Sequence, residues 1–202
     1  MKTMRSSILC FVVLLLAAPL LRAQDLSKYR QFTVGMSLST VLKHTEQRMT
    51  DVKVIHGRPA MIQELEWWPP TIPGSSFQSD TVEQILFFFY NSELYKISVT
   101  YDQSSTEGLT PDDMVKSISE KYGPATSVAL AIDSGKNENY DLKPTVAASW
   151  EDRQYSLNLV RSSYGDRLGL IIYSKHVNEA AELGSCSANT PATTSRSMTR
   201  ST

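Results

Sequence analysis

VEQILFFFYNSELYKISVTYD, residues 82–102, holds two nine-residue runs rich in β-branched and aromatic side chains on either side of Asn91-Ser92. Asn91-Ser92 is a short turn signal between strongly β-prone runs, so the stretch predicts an antiparallel hairpin. In the second run Tyr95, Ile97, Val99 and Tyr101 alternate with Lys96, Ser98 and Thr100, which predicts one buried and one solvated face. In the first run, Phe87, Phe88 and Phe89 predict a central strand covered on both sides rather than a membrane contact.

Upstream, Ser37 is a good N-cap with Met36 placed to staple, and Leu38, Val41, Leu42 and Thr45 recur at helical spacing. These predict a short amphipathic helix over 38–47. The runs DVKVIHG and AMIQELEWW alternate with period two and predict a second hairpin turning at Gly57-Arg58-Pro59. PPTIPGSSFQSD, residues 69–80, has three of the nine prolines and a Gly-Ser-Ser, and predicts a projecting loop.

Downstream, Thr110 at N-cap, Pro111 at N1, Asp112 and Asp113 in the first turn and Gly123-Pro124 as a stop predict a helix. TSVALAI, AASWED, YSLNLVRS and RLGLIIYS are strand candidates, and HVNEAAEL predicts a last helix ending at Gly184. Helix followed by strands occurs twice. The fold class is therefore α+β, with two α-β-β-β units over 24–108 and 109–183, antiparallel sheet and helices packed on one face. Whether the units form one sheet or two stays open.

The termini read differently. MKTMRSSILCFVVLLLAAPLLRAQ couples Lys2 and Arg5 to an apolar run that is short for a span and precedes Ala23, the pattern of a signal peptide over residues 1–23. Cys10 goes with that leader, leaving Cys186 without an internal disulfide partner. Residues 184–202 are dominated by Ser, Thr and small side chains and predict a disordered tail. Removing the leader takes Lys2, Arg5 and Arg22, leaving 17 basic against 21 acidic residues. The expected protein is periplasmic or secreted, with no stable membrane span after processing. Its charge argues against a nucleic-acid partner, which would need a Lys/Arg excess.

Gly35-Met36-Ser37 with Val41, and the stretch from Leu109 to Val115 that ends in Tyr122-Gly123-Pro124-Ala125, resemble the helix starts and exits of the outer-membrane assembly lipoprotein and β-lactamase inhibitory protein family. In the first unit His56-Gly57-Arg58-Pro59 comes later than that family's exit. The resemblance implies tandem domains that bind other proteins through a concave sheet face or loops and are not enzymes.

Residue chemistry points the same way. His44, His56 and His176 have no ligand spacing, so no metal is expected. Gly-x-Ser-x-Gly and phosphate-binding glycine loops are absent, so neither a serine nucleophile nor a nucleotide cofactor is expected. Glu64 and Glu66, two apart on one strand face, allow a small secreted hydrolase as the alternative. Adjacent Trp67 and Trp68 point to opposite faces, Trp67 inward with Leu65 and Trp68 outward. Trp68 and Phe77, at the root and within the proline-rich loop, are the expected contacts for a protein partner in the envelope or outside the cell.

Overall fold

A computed structural model of the chain describes residues 25–58, 60–70, 82–128, 145–161 and 167–188. A small N-terminal hairpin, β1 (Lys28–Tyr29) and β2 (Phe32–Thr33), leads into α1 (Leu38–Thr45). Four strands follow: β3 (Val52–His56), β4 (Ile62–Trp67), β5 (Val82–Tyr90) and β6 (Glu93–Tyr101). After one helical turn at Gln103–Thr106 come α2 (Pro111–Tyr122), β7 (Ser127–Val128), β8 (Thr145–Glu151), β9 (Tyr155–Arg161), β10 (Leu168–Ser174) and α3 (Lys175–Ala188).

Strands β3 to β10 form one sheet, in the order β3-β4-β5-β6-β10-β9-β8-β7, with every neighbouring pair antiparallel. Each half of the chain thus contributes a helix and then four consecutive strands, one more than the α-β-β-β order read from the sequence. The halves meet where β6 pairs with β10, Ile97 opposite Ile172 and Val99 opposite Leu170. The two edge strands are β3, mostly exposed and within the predicted run DVKVIHG, and β7, two residues long and within the candidate TSVALAI. Each of the eight strands overlaps one of the eight runs that the sequence offers as strand candidates, so the α-β-β-β order counts one strand too few in each half.

The turn at Asn91-Ser92 has both residues at positive φ, 49° and 67°, the geometry that joins two twisted strands without splaying them. Asn91 also receives the Met61 amide on its side-chain oxygen at 3.0 Å, which ties the turn to β4. Helix α1 is capped by Ser37, whose hydroxyl accepts from the Thr40 amide, and stops at Glu46, which adopts the left-handed conformation at φ 57°. The helix predicted over 38–47 is therefore two residues shorter. Thr110 and Asp113 close a capping box on α2, and the Thr110 hydroxyl, then its amide, hold the Asp113 carboxylate below its ordinary pKa. Helix α3 runs through Gly184 to Ala188, because Gly184 keeps a helical backbone and not the left-handed one of a stop. The predicted tail begins inside this helix, and 189–202 lie outside the described residues.

One core spans both halves. Leu65, Ile85, Phe87, Ile97, Val99, Leu157, Leu159, Leu170 and Ile172 point from one sheet face at Val41 of α1, Ile118 of α2 and Tyr29 and Phe32 of the N-terminal hairpin. The Tyr122 hydroxyl donates to the Lys28 carbonyl at 2.9 Å, and the Trp150 indole N–H donates to the Gly123 carbonyl at 2.9 Å. These bonds pin the hairpin and the end of α2 to the sheet. Helix α3 lies on the opposite face, with Val177 and Ala181 against Ile62, Tyr95, Phe88 and Tyr90. The expectation of helices on one face is thus corrected: two share a face and the third covers part of the other. Tyr95 is also corrected. A register shift between Phe88 and Phe89 turns Tyr95 to the α3 face beside Lys96, and Leu94 takes the core position.

At the β6–β10 seam Gly169 stands opposite Thr100, and a Cβ there would lie 2.6 Å from the Val99 carbonyl oxygen. The contact is with backbone, so a side chain at 169 forces the two halves of the sheet apart. Gly169→Ala is expected to lower stability by about 2–3 kcal/mol in urea unfolding, as overpacked core substitutions do. Gly57→Ala, whose Cβ meets nothing within 4 Å, is expected to stay within about 0.5 kcal/mol. Equal stability of the two variants would contradict a tight seam.

Candidate binding surface

β4 ends at Trp67, and strand alternation sends successive side chains to opposite sides. The Trp67 ring turns to the core face, edge-on to Phe32 at 5.7 Å and 6.4 Å from Phe87. Trp68 turns the other way and is 58% exposed. Phe77 and the rest of the proline-rich loop from 71 to 81 lie outside the described residues.

Four of the eight large exposed apolar side chains among the described residues fall between positions 49 and 68: Met49, Val54, Ile55 and Trp68. Three of them lie on β3 or just before it, and β3 is an edge of the sheet. An edge strand presents backbone N–H and C=O groups that no neighbour pairs, so apolar side chains there add adhesive surface to a hydrogen-bonding template. The edge was missed in the sequence because Val52 and Val54 read as one face of an ordinary hairpin strand. Only the sheet order places them at a border.

Glu64 and Glu66 share a sheet face, and their side chains are about one quarter exposed. Lys53 on β3 reaches both, its Nζ 3.9 Å from Glu64 and 3.2 Å from Glu66. The Gln84 side-chain amide donates to the remaining Glu66 oxygen. This is a cross-strand ladder that satisfies its carboxylates internally. Neither Glu64 nor Glu66 lines the cleft beside Tyr90, Glu93 and Tyr95 or the one beside Gln103 to Leu109.

Further along that face Lys96 lays its ammonium 4.6 Å from the Phe88 ring centre and 5.8 Å from that of Tyr95. Burial lowers the Lys96 pKa, and the charges of Glu182 and Glu64 draw it partway back. Burial, then Glu182, pushes the Tyr95 phenol up to about 12, so it stays protonated. The histidines are dispersed: His44 lies on α1 near Phe32, His56 at the end of β3 and His176 in the first turn of α3. Among the described residues no three His, Cys, Asp or Glu side chains gather where they could hold a metal ion, and no helix is long and apolar enough to cross a membrane.

The family model described as the TP0088 domain matches residues 27–180, which is 154 of the 202. The chain belongs to the TP0088 domain family. No curated protein and no solved structure matches it. The match runs from the N-terminal hairpin into α3, so this TP0088 domain takes in both halves of the sheet, the seam and the apolar edge.

The two tryptophans of the TP0088 domain separate packing from exposure within one dipeptide. Trp67→Ala removes a ring packed on Phe32 and Phe87 and is expected to cost about 2–3 kcal/mol. Trp68→Ala is expected to change stability by less than about 0.5 kcal/mol, both read by thermal or urea unfolding. A Trp68 loss as large as that of Trp67 would make the pair structural.

Proposed function

We propose that this protein is an exported, non-catalytic binding or accessory module of the cell envelope, periplasmic or secreted, which takes an extended segment of a protein partner along β3 with Trp68 as anchor. The exposure of Met49, Val54 and Ile55 on or just before the edge strand β3, with exposed Trp68 just past the end of the adjoining β4, carries this reading. Strand addition supplies backbone hydrogen bonds, and a rigid indole contributes contact area at small entropic cost. The N-terminal pattern of basic residues, short apolar run and Ala23 supports export. The resemblance to envelope assembly lipoproteins and β-lactamase inhibitory proteins supports protein capture, and the helix-then-four-strands order of each half supports two related units. The hydrolase alternative has less support, since Lys53 and Gln84 already engage Glu64 and Glu66.

The test is a photo-reactive residue placed at Val54 in the exported protein, with a control at Val128 on the opposite edge strand. Position 54 is expected to give one defined adduct and position 128 none. Trp68→Ala is then expected to weaken binding of that partner, purified, by about tenfold or more, the loss of an interface anchor. Equal crosslinking from both edges, or unchanged affinity of the Trp68 variant, would overturn the proposal.

A further inference from the structure

At the end of the sheet far from Trp68, a cleft of about 120 Å³ opens beside the β5–β6 turn, between the N-terminal segment and the first turn of α3. Its lining includes three tyrosines, Tyr90, Tyr95 and Tyr155, together with Glu93, Gly35 and Ser174. The Tyr90 and Tyr95 rings stand edge to face, their centroids 6.5 Å apart and their planes at 83°. Glu93 projects over Gly35, its Oε1 3.8 Å from where a Cβ on that glycine would sit. The absence of a side chain at 35 keeps that space open, and φ +99° there suits glycine.

The chemistry of the lining is one-sided. Glu93 forms neither ion pair nor side-chain hydrogen bond among the described residues, in contrast to Glu64, Glu66, Glu83 and Glu151, each of which holds a cation. Glu182 adds negative charge near Tyr95. Of the nearby cations, Lys175 donates to Glu151 at 2.7 Å and to the Asp152 carbonyl at 3.0 Å, and Lys96 lies 4.6 Å over Phe88 and 5.8 Å over Tyr95, while none pairs with Glu93 among the described residues. Aromatic rings with a free carboxylate attract a cation, because the ring faces are negative and the carboxylate completes the charge.

We infer that the Tyr90–Tyr95–Tyr155 cleft with Glu93 is a binding site for an alkylammonium group, of the size of a lysine head. The site is separate from the β3 edge and does not depend on it. Backbone pairing of Gly35 N–H to the Leu94 carbonyl at 2.7 Å, and of Leu94 N–H to the Met36 carbonyl at 2.8 Å, sets the floor before any ligand arrives. The tyrosines that line the cleft then supply aromatic contact, and the Glu93 carboxylate accepts hydrogen bonds from the ammonium.

Titration of the whole exported protein with n-butylammonium chloride, followed by amide NMR at constant ionic strength, tests this. Saturable shifts are expected at Gly35, Glu93 and Tyr95, with n-butanol binding about tenfold or more weakly because it lacks the charge. Nα-acetyl-lysine methylamide forms the second arm: tighter binding than n-butylammonium assigns the site to a lysine of a polypeptide, and weaker binding assigns it to a free amine. Glu93→Gln is expected to lower n-butylammonium affinity about tenfold while its melting temperature stays unchanged, since the side chain holds no partner. Shifts no larger than those of potassium chloride, or a Glu93→Gln protein that binds equally well, would overturn the inference.

Discussion

The close approach of β6 and β10 is the constraint on which the rest of the structure depends. Only a residue without a side chain can stand where Gly169 stands, since the Val99 carbonyl occupies the place of its Cβ. That contact lets two four-stranded meanders, separated in sequence by α2 and its loops, become one sheet of eight. Continuity of the sheet then gives continuity of the core. Leu65 and Ile85 from one half and Leu157 and Leu159 from the other belong to a single buried cluster, closed by α1, α2 and the N-terminal hairpin.

The same geometry divides the molecule into a committed face and a partly open one. The α1–α2 face is paved with aliphatic and aromatic side chains. The α3 face is mixed: Val177 and Ala181 cover Ile62, Tyr95 and Phe88, while Lys53, Glu64, Glu66 and Gln84 form a polar ladder beyond them. Adhesive features therefore concentrate at borders. Val54 and Ile55 lie on the β3 edge, Trp68 lies just past the end of the adjoining β4, and the three-tyrosine cleft lies at the opposite sheet end from Trp68. A sheet filled on one side and half covered on the other keeps its exposed apolar groups at its edges and ends, which is where the proposed contacts are placed.

Much of the secondary structure was legible because it rests on local signals. The hairpin at Asn91-Ser92, the capped α2 and the opposed directions of Trp67 and Trp68 all follow from periodicity and cap chemistry within about ten residues. Other features were not legible, each for a nonlocal reason. Tyr95 was assigned the Ile97 face by strict alternation, and the register shift at Phe88 and Phe89 overrode it. The α3 position on the far face depends on β10 emerging at mid-sheet, which no local pattern in HVNEAAEL encodes. Of the candidate site, Trp68 was visible in the sequence, whereas the β3 edge and the Glu93 cleft needed the strand order and the fold of Val34 and Gly35 onto the β5–β6 turn. Phe77 lies outside the described residues.

The central claim is that the two halves form one cooperative sheet through the β6–β10 seam, and native-state hydrogen exchange tests it most directly. Amides of Ile97 and Val99 on β6, Leu170 and Ile172 on β10, and Phe87 and Leu157 farther out are expected to exchange only through global opening. Their opening free energies should be equal and should fall together as denaturant is added. A seam whose amides open well below the global value, or a β8–β9 half that exchanges independently of the β4–β5 half, would contradict the account.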